Sequence, residues 1–336
     1  MGIWTSYRLR LQRKRWKLRA RRKGRDLTAV QDRTAQILPD DILLFCTFRN
    51  EDVRLPYFLD YYRELGVNHF LLIDNDSSDG GQQVAADQPD VSLWTTKAGY
   101  GDARYGLDWL TWLQGKYAHG HWALTVDVDE FFVYPFCDTR PLRALGDWLD
   151  ASEVRSFGAM LLDLYPKGAV SKAVYTRGQD PLTVSNWFDA GNYTMKRNPL
   201  LRNLWIQGGP RARTFFADKP KRSPALNKVP FVKWQRPYTY VSSTHMILPR
   251  GLNLVYDQHG GEKTSGILLH TKFLNTFGGR AAEEAARAEH YRKGEEYKSY
   301  ADRYGADPDL WCKWSEQYIN WRQLEMLGLM SKGNWA

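Results

Sequence analysis

The chain has 336 residues, of which 43% are hydrophobic and 14% aromatic, enough for a large domain with a substantial core. It contains no run of about 18 apolar residues, and no apolar stretch follows the basic start of the chain. We therefore expect neither a membrane-spanning helix nor a secretory signal peptide. Three widely separated cysteines argue against a disulfide framework or a zinc site and favour a reducing, cytoplasmic setting.

The net charge of +9 is concentrated at the start of the chain. Residues 1–25 hold 11 of the 47 Lys and Arg and none of the 38 acidic residues, so the remainder has 36 basic and 38 acidic residues. Wound as a helix, this segment places Trp4, Tyr7, Leu11 and Leu18 within about 60° of one another. We expect a basic tail and linker over 1–40, in which residues 1–25 associate with an anionic membrane at its cytoplasmic face. A solvated tail is the alternative, and nucleic acid is the least favoured partner.

From residue 41 onward, apolar runs alternate with segments of helical spacing. The predicted strands are 42–48, 69–75, 91–96 and 121–129. The predicted helices are 53–66, a short helix before the third strand, and 103–118. This alternation predicts an α/β fold with a doubly wound, mostly parallel sheet and flanking helices.

Three of these strands end in polar and acidic residues: RNED (49–52), DNDSSD (74–79) and DVDE (127–130). Ligands of parallel α/β sheets bind at the carboxyl ends of the strands. Clustered carboxylates are costly to desolvate without a cationic partner, and oxygen ligands favour Mg²⁺ or Mn²⁺. In an extended segment Asp127 and Asp129 point the same way and would share such an ion. Solvated loop acids are the alternative.

These segments resemble a known family. FCTFRNEDVRLPYFLDYYRELGVNHFLLIDNDSSDG, followed by TVDVDEFF, is similar to the glycosyltransferase family 2-like proteins of GT-A fold, in the branch with an R-N-E start and a D-x-D-E-F block. The resemblance covers about 41–275. It implies a GT-A domain over 41–278, with a nucleotide-binding half (41–135) and an acceptor half (136–278).

The resemblance also implies a reaction and the residues that carry it. The reaction is metal-dependent transfer of a sugar from a nucleotide diphosphate sugar to a glycan or other acceptor hydroxyl, in polysaccharide or glycan synthesis. The nucleotide would be held by residues of the first two strand ends: Arg49, Asn50, Glu51, Asp74 and Asp76. The metal would be bound by Asp127 and Asp129, with Glu130 as a supporting residue.

The second half of the domain supplies further candidates. His270 follows an apolar strand at the position of a metal-binding histidine in related enzymes; a core histidine is the alternative. His245 is a weaker candidate. Basic residues that would contact the diphosphate or an anionic acceptor, unless they are solvated surface cations, are Arg211, Arg213, Lys228, Lys233 and Lys272.

The catalytic base is the least determined part of the site. An inverting enzyme needs a carboxylate that deprotonates the acceptor, but the family's E-D and Q-x-x-R-W blocks are not evident, which also leaves inversion open. Glu262, in a glycine-rich loop, is the first choice and Asp257 the second. The other candidates are Asp163, Asp180 and Asp189.

Residues 279–336 are rich in helix-forming residues and predict a helical C-terminal extension. Two other functions remain open for the whole chain. One is a nucleotide-sugar-binding module without turnover, although such a protein would not need the acid pair. The other is a different metal-dependent nucleotide-processing enzyme, although 49–56 lacks the glycine-rich phosphate loop expected there.

Overall fold

The computed structural model describes residues 3–257, 263–276 and 307–335. Its α-helices in these ranges are α1 (Ile3–Lys23), α2 (Leu55–Leu65), α3 (Gly81–Ala86), α4 (Leu107–Tyr117), α5 (Leu142–Ala151), α6 (Gly209–Phe215) and α7 (Trp321–Met326). Its strands are β1 (Thr28–Gln31), β2 (Leu43–Phe48), β3 (His69–Asp74), β4 (Val91–Thr95), β5 (Trp122–Thr125), β6 (Glu130–Val133), β7 (Ser156–Asp163), β8 (Trp187–Asp189), β9 (Tyr193–Arg197), β10 (Leu204–Gly208), β11 (Asn227–Lys233), β12 (Thr239–Ser242), β13 (Met246–Leu248), β14 (Gly266–His270) and β15 (Ser315–Gln317).

A central sheet of nine strands organises the molecule. Its order is β1-β4-β3-β2-β5-β11-β7-β14-β6. The strands β2 to β5, β7 and β14 share one direction, and β1, β11 and β6 run against them. Helices flank both faces, which confirms the predicted mostly parallel α/β sheet.

The strand β2 shows how the sequence builds two layers around this sheet. Successive side chains of a strand point to opposite faces. Leu44 and Cys46 are buried in the core beneath α2 and α5. Leu43 and Phe45 are buried in the core beneath α4. Because β2 is covered on both faces, it is a continuous apolar run rather than an alternating one.

The helix α2 follows from its apolar spacing. Its buried residues recur every three or four positions and face the sheet: Leu55, Phe58, Leu59, Tyr62 and Leu65. Burial of each such side chain contributes about 1.5–3 kcal/mol at most. The helix ends at Gly66, whose φ of 102° is in the left-handed region that glycine adopts without strain. The prediction of 53–66 therefore located this helix to within two residues.

Residues 3–31 pack on the domain, which differs from the predicted tail and linker. The helix α1 lies on α4, with Leu9 and Ala20 buried. Arg19 Nε donates to Asp108 Oδ2 at 2.6 Å, and Asp108 is fully buried. The strand β1 pairs antiparallel with β4 at the edge of the sheet. The apolar stripe used in the sequence prediction is on the other side of α1, so it did not reveal this packing.

The end of the chain also joins the domain. The strand β15 pairs with β8, and α7 places Trp321 against Phe136. About half of the predicted helical extension over 279–336, residues 279–306, lies outside the described residues. Within the described ranges, no helix has both the length and the apolar character needed to cross a bilayer.

Candidate functional site

Strand direction brings the chemistry-bearing residues to one edge of the sheet. The parallel strands end at this edge, and the antiparallel β6 and β11 begin there, so that both kinds of strand contribute side chains. The residues assembled in this way are Arg49, Asp74, Asp127, Asp129, Glu130, Asp163, Lys228 and His270. The predicted convergence of strand ends at one edge is present in the structure.

The loops after β2 and β3 form one hydrogen-bonded unit. Arg49 donates from a terminal guanidinium nitrogen to the carbonyl of Asn75 at 2.9 Å. Asn50, with φ of 52°, accepts from the amide of Ser78 at 2.8 Å through its side chain. These bonds hold the two predicted nucleotide-binding loops against each other.

The two acids predicted for base and ribose differ in their surroundings. Asp74 is fully buried, and its carboxylate accepts from the amide of Ser77 at 3.1 Å and from Gln82 Nε2 at 2.9 Å. It therefore shapes the loop after β3. Asp76 is exposed and has a φ of 60°, so its carboxylate faces solvent at the same edge.

A buried ion pair lies below the exposed Asp127. Lys228 Nζ is 2.8 Å from Glu130 Oε1, and both side chains are buried. The same ammonium is 3.5 Å from Asp127 Oδ2, whose side chain is 56% exposed. Burial raises the pKa of Glu130 to about 7, and the charge of Lys228 offsets part of this rise. Although burial disfavours its charge, the adjacent carboxylates raise the pKa of Lys228. The ammonium is therefore a fixed cation at the edge of the sheet.

A second array runs inward from Asp129. His270 Nε2 is 3.3 Å from Asp129 Oδ2, and His270 Nδ1 is 2.6 Å from Asp163 Oδ1. Arg211 Nε donates to the other oxygen of Asp163 at 2.7 Å. His270, Asp163 and Arg211 are all buried. The four groups alternate in sign when His270 is protonated.

The pKa values in this array follow from the alternation of charge. Burial alone would raise the pKa of Asp129, but the positive charge of His270 outweighs it and lowers the pKa. Burial likewise opposes ionisation of Asp163, and Arg211 with His270 lowers its pKa. Burial would lower the pKa of His270, but Asp129 and Asp163 raise it. Each charge thus stabilises its neighbours.

The fit of a divalent cation rests on Asp129 and His270. A carboxylate on Nδ1 that leaves Nε2 for another partner is the usual arrangement of a metal-binding histidine. No group of three or more His, Cys, Asp or Glu residues is close enough to hold an ion within the described ranges. Mg²⁺ is commonly held by one or two protein ligands together with substrate phosphates. A cation at this edge would therefore need ligands from a bound substrate in addition to these two side chains.

Arg213 and Asp189, both predicted site residues, pair with each other. Arg213 forms a two-bond pair with Asp189, at 2.8 and 3.0 Å, and also donates to the carbonyl of Leu310. Tyr165 donates to the same carboxylate of Asp189. These contacts join α6, β8 and the C-terminal segment. They give Arg213 and Asp189 a structural role.

The candidates for the base are spread over several places. Asp257 accepts from the amide of Lys263 at 2.8 Å and lines a cavity of about 550 Å³ that is rich in arginine. Asp163 is bonded to His270 and Arg211. Asp180 caps a short 3₁₀ helix. Glu262 lies outside the described residues, so its role stays a prediction.

The other cationic and histidine candidates occupy different environments. Lys272 is partly buried directly after the array, and its charge contributes to lowering the pKa of Asp129. Lys233 pairs with Asp150 at 2.9 Å. His245 Nδ1 is 2.7 Å from the carbonyl of Asn227, consistent with a structural histidine.

Sequence reasoning missed Arg54, which is buried beside the array. One terminal nitrogen of Arg54 is 3.6 Å from Glu51 Oε2, and the other donates to the carbonyl of Thr271 at 3.4 Å. Its charge also contributes to lowering the pKa of Asp129. Arg54 directly precedes α2, five residues after Arg49. The position of Arg54 close to the predicted R-N-E segment could have indicated that it lies at the same edge of the sheet.

Comparisons with known proteins leave the family open. No family model matches the sequence, and no curated protein matches it significantly. One similar solved structure is a 4-diphosphocytidyl-2C-methyl-D-erythritol synthase, with 16% identity and a TM-score of 0.25, covering 40% of this chain and 65% of that chain. Another is described as a glucose-1-phosphate thymidylyltransferase from Bacillus anthracis in complex with sucrose, with 11% identity and a TM-score of 0.27, covering 86% of this chain and 95% of that one. At these values, function has to be argued from the site itself.

Proposed function

We propose that this protein is a metal-dependent glycosyltransferase that uses a nucleotide diphosphate sugar as donor and a hydroxyl group as acceptor. The observation that carries the proposal is the alternating array of Asp129, His270, Asp163 and Arg211 at the carboxyl edge of the sheet. Ligands of α/β sheets bind at this edge. The array presents a carboxylate and an imidazole nitrogen there, next to an exposed aspartate and a fixed ammonium.

Two groups of described residues would bind the two parts of the donor, its nucleoside and its diphosphate. The joined loops after β2 and β3 would hold the nucleoside, with Arg49 and Asn50 keeping the loops together and Asp76 facing the ligand. Lys228 and Arg54 would contribute positive charge where the diphosphate lies. The leaving nucleoside diphosphate gains negative charge during transfer, and fixed cations stabilise that charge in the transition state.

A divalent cation would be held by Asp129 and His270, with Asp127 at the exposed side of the same segment. Such an ion supplies Lewis-acid stabilisation of the departing diphosphate. Asp163 orients His270 through Nδ1, and an ion bound at Nε2 would replace the proton that faces Asp129 in the charged array. The proposed base that accepts the acceptor's proton remains Glu262 or Asp257.

The decisive experiment is a screen of nucleotide sugars with Mn²⁺ and Mg²⁺ that identifies the released product. Glycosyl transfer or donor hydrolysis releases a nucleoside diphosphate, whereas a nucleotidyltransferase acting in reverse releases nucleoside triphosphate from pyrophosphate and the nucleotide sugar. We expect nucleoside diphosphate, formed only with a divalent ion present. Release of nucleoside triphosphate, with no nucleoside diphosphate from any donor, would contradict the proposal.

Two aspartate variants test whether Asp129 takes part in metal-dependent donor binding. Asp129→Asn removes the carboxylate next to His270 and should lower metal-dependent donor binding by at least about 10-fold in calorimetry. Asp138→Asn is the matched control, because Asp138 pairs with Arg322 in a partly exposed ion pair. Equal donor affinity of the two variants with Mn²⁺ present would remove Asp129 from the metal site.

A further inference from the structure

The helix α1 has two apolar faces. At 100° per residue, Leu9, Trp16 and Ala20 lie on one side of the helix, about 170° from the centre of the Trp4, Tyr7, Leu11 and Leu18 stripe. The first face is used within the fold: Leu9 packs with Leu201, Met246 and Leu248.

The second face, which we call the outer stripe, consists of Trp4, Tyr7, Leu11 and Leu18. These side chains are 79%, 52%, 46% and 52% exposed. Single exposed apolar residues are common on proteins, but a row of four on one side of one helix marks an interaction surface. The inner face already fixes the helix, so the outer stripe is not needed for folding.

Cations flank the outer stripe on both sides. By the same helical angles, exposed basic residues lie along each of its edges: Arg8, Arg15 and Arg22 on one, and Arg10, Lys14 and Arg21 on the other. No acidic residue occurs in α1. A central apolar row bordered by two rows of cations matches a surface whose interior is apolar and whose rim is anionic.

Inner contacts hold α1 in one orientation on the domain. Arg19 pairs with the buried Asp108 at 2.6 Å, and the Arg104 guanidinium lies 4.8 Å from the ring centre of Trp16. Gly24 lies against the ring of Trp112, where a side chain would collide. The outer stripe is therefore directed away from the domain by a rigid support.

We propose that the outer stripe of α1 docks the protein on the surface of an anionic phospholipid bilayer. The apolar row would enter the interface between headgroups and acyl chains, while the two cationic rows contact the headgroups. A nucleic acid duplex would be contacted by the cations through its phosphates and would leave the apolar row in water. The proposal concerns only α1, so it stands or falls independently of the proposed enzymatic activity.

The test is vesicle co-sedimentation of the full chain. We expect binding to vesicles of phosphatidylcholine with phosphatidylglycerol, weak binding to phosphatidylcholine alone, and weaker binding to the anionic vesicles at high salt. The triple variant Trp4→Ser, Leu11→Ser, Leu18→Ser should bind the anionic vesicles at least about 10-fold less. Its thermal unfolding should stay close to that of the unmodified chain, because none of the three side chains belongs to a hydrophobic core cluster.

A matched control uses three exposed apolar residues elsewhere: Trp314→Ser, Ile319→Ser and Met326→Ser, which are 63%, 71% and 87% exposed. This variant should bind vesicles like the unmodified chain. Equal binding by the two triple variants, or no binding of the unmodified chain to anionic vesicles, would overturn the proposal. Binding to a short DNA duplex that anionic vesicles fail to displace would assign α1 to nucleic acid instead.

Discussion

The side chain of His270 shows how single residues determine this site. Its Nδ1 is bonded to Asp163, and its Nε2 faces Asp129. Burial of ionised groups is costly unless each has a partner. Here each buried charge has an opposite neighbour, so the array is stable only as a whole. Removing one member exposes the remaining members to that desolvation cost.

Asp163→Asn should therefore destabilise the fold as well as the site. The change leaves Arg211 buried beside a neutral amide, and breaking such a buried pair costs about 3–5 kcal/mol. The free energy of unfolding in guanidinium chloride measures the loss. Asp138→Asn, at the more exposed Arg322 pair, should cost less than about 1 kcal/mol. Similar losses for both variants would contradict the structural account of the array.

His245 gives a pH dependence with a defined sign. Burial and the nearby charge of Lys228 lower its pKa to about 3, below the usual value of about 6.5. The unfolded chain therefore binds a proton more readily between these values. Stability contributed by neutral His245 is complete above about pH 6.5 and is lost as the pH falls toward 3.

The corresponding measurement compares unfolding free energies at pH 7 and pH 5. Between pH 7 and pH 5, the free energy of unfolding of the unmodified chain should fall by about 1 kcal/mol more than that of His245→Gln. This difference is smaller than the pKa shift alone would give, because His245 is only partly buried. His119→Gln, at an exposed histidine, serves as the control and should follow the unmodified chain. An identical pH response of both variants would remove His245 as the cause.

At the scale of elements, the register of β14 places His270 beside β6 and β7. Leu268 opposes Phe132, and His270 opposes both Glu130 and Asp163. Gly266 begins this strand at a close contact: a Cβ there would lie 2.6 Å from the carbonyl oxygen of Val133. That oxygen is backbone and cannot move without displacing β6.

Gly266→Ala should consequently destabilise the protein by about 1–3 kcal/mol, as overpacking of a close contact does. The matched variant is Gly115→Ala, in the interior of α4, where a Cβ meets nothing within 4 Å. It should stabilise the protein by about 0.5–1 kcal/mol, the usual preference for alanine in a helix. Thermal unfolding of both variants tests the opposite signs, and a shift in the same direction would contradict them.

Local pattern predicted the first half of the sheet because its strands are buried on both faces. The apolar run from Leu43 to Phe48 and the apolar spacing of α2 predict these elements from local sequence alone. The position of β11 in the sheet cannot be predicted in this way, because its antiparallel pairing with β5 and β7 depends on tertiary packing. This is why Lys228 was predicted as a phosphate contact, while its pairing with Glu130, 98 positions earlier in the chain, was not.

The same limit applies to α1. Its outward apolar row has a clear period in the sequence, whereas its inward contacts combine Leu9 and Ala20 with charged residues. Arg19 reads as one more cation of a basic segment until Asp108 is placed beside it. Arg19 and Asp108 are 89 residues apart, so their pairing depends on the fold and cannot be predicted from composition.

At the scale of the whole molecule, α1 is part of the domain. Deleting residues 1–26 would uncover Leu248 and Met246 and remove Arg19 from Asp108, which would keep Arg104 as a partner. We expect a loss of about 3 kcal/mol or more in unfolding free energy, from lost apolar burial and an altered buried charge. A solvated tail would give no loss. The outer-stripe triple variant is the control and should retain full stability.

The hydrogen bond from the amide of Thr271 to the carbonyl of Asp129, at 2.9 Å, has a consequence for how this site can be lost. It joins the turn before β6 to the residue that follows β14, so that these two segments move together. Because alternate side chains face opposite ways, sliding β14 by a single position would bring Leu269 to where the imidazole now lies. The hydrophobic content would be unchanged, yet the proposed metal-binding pair of Asp129 and His270 would be lost without any substitution in it.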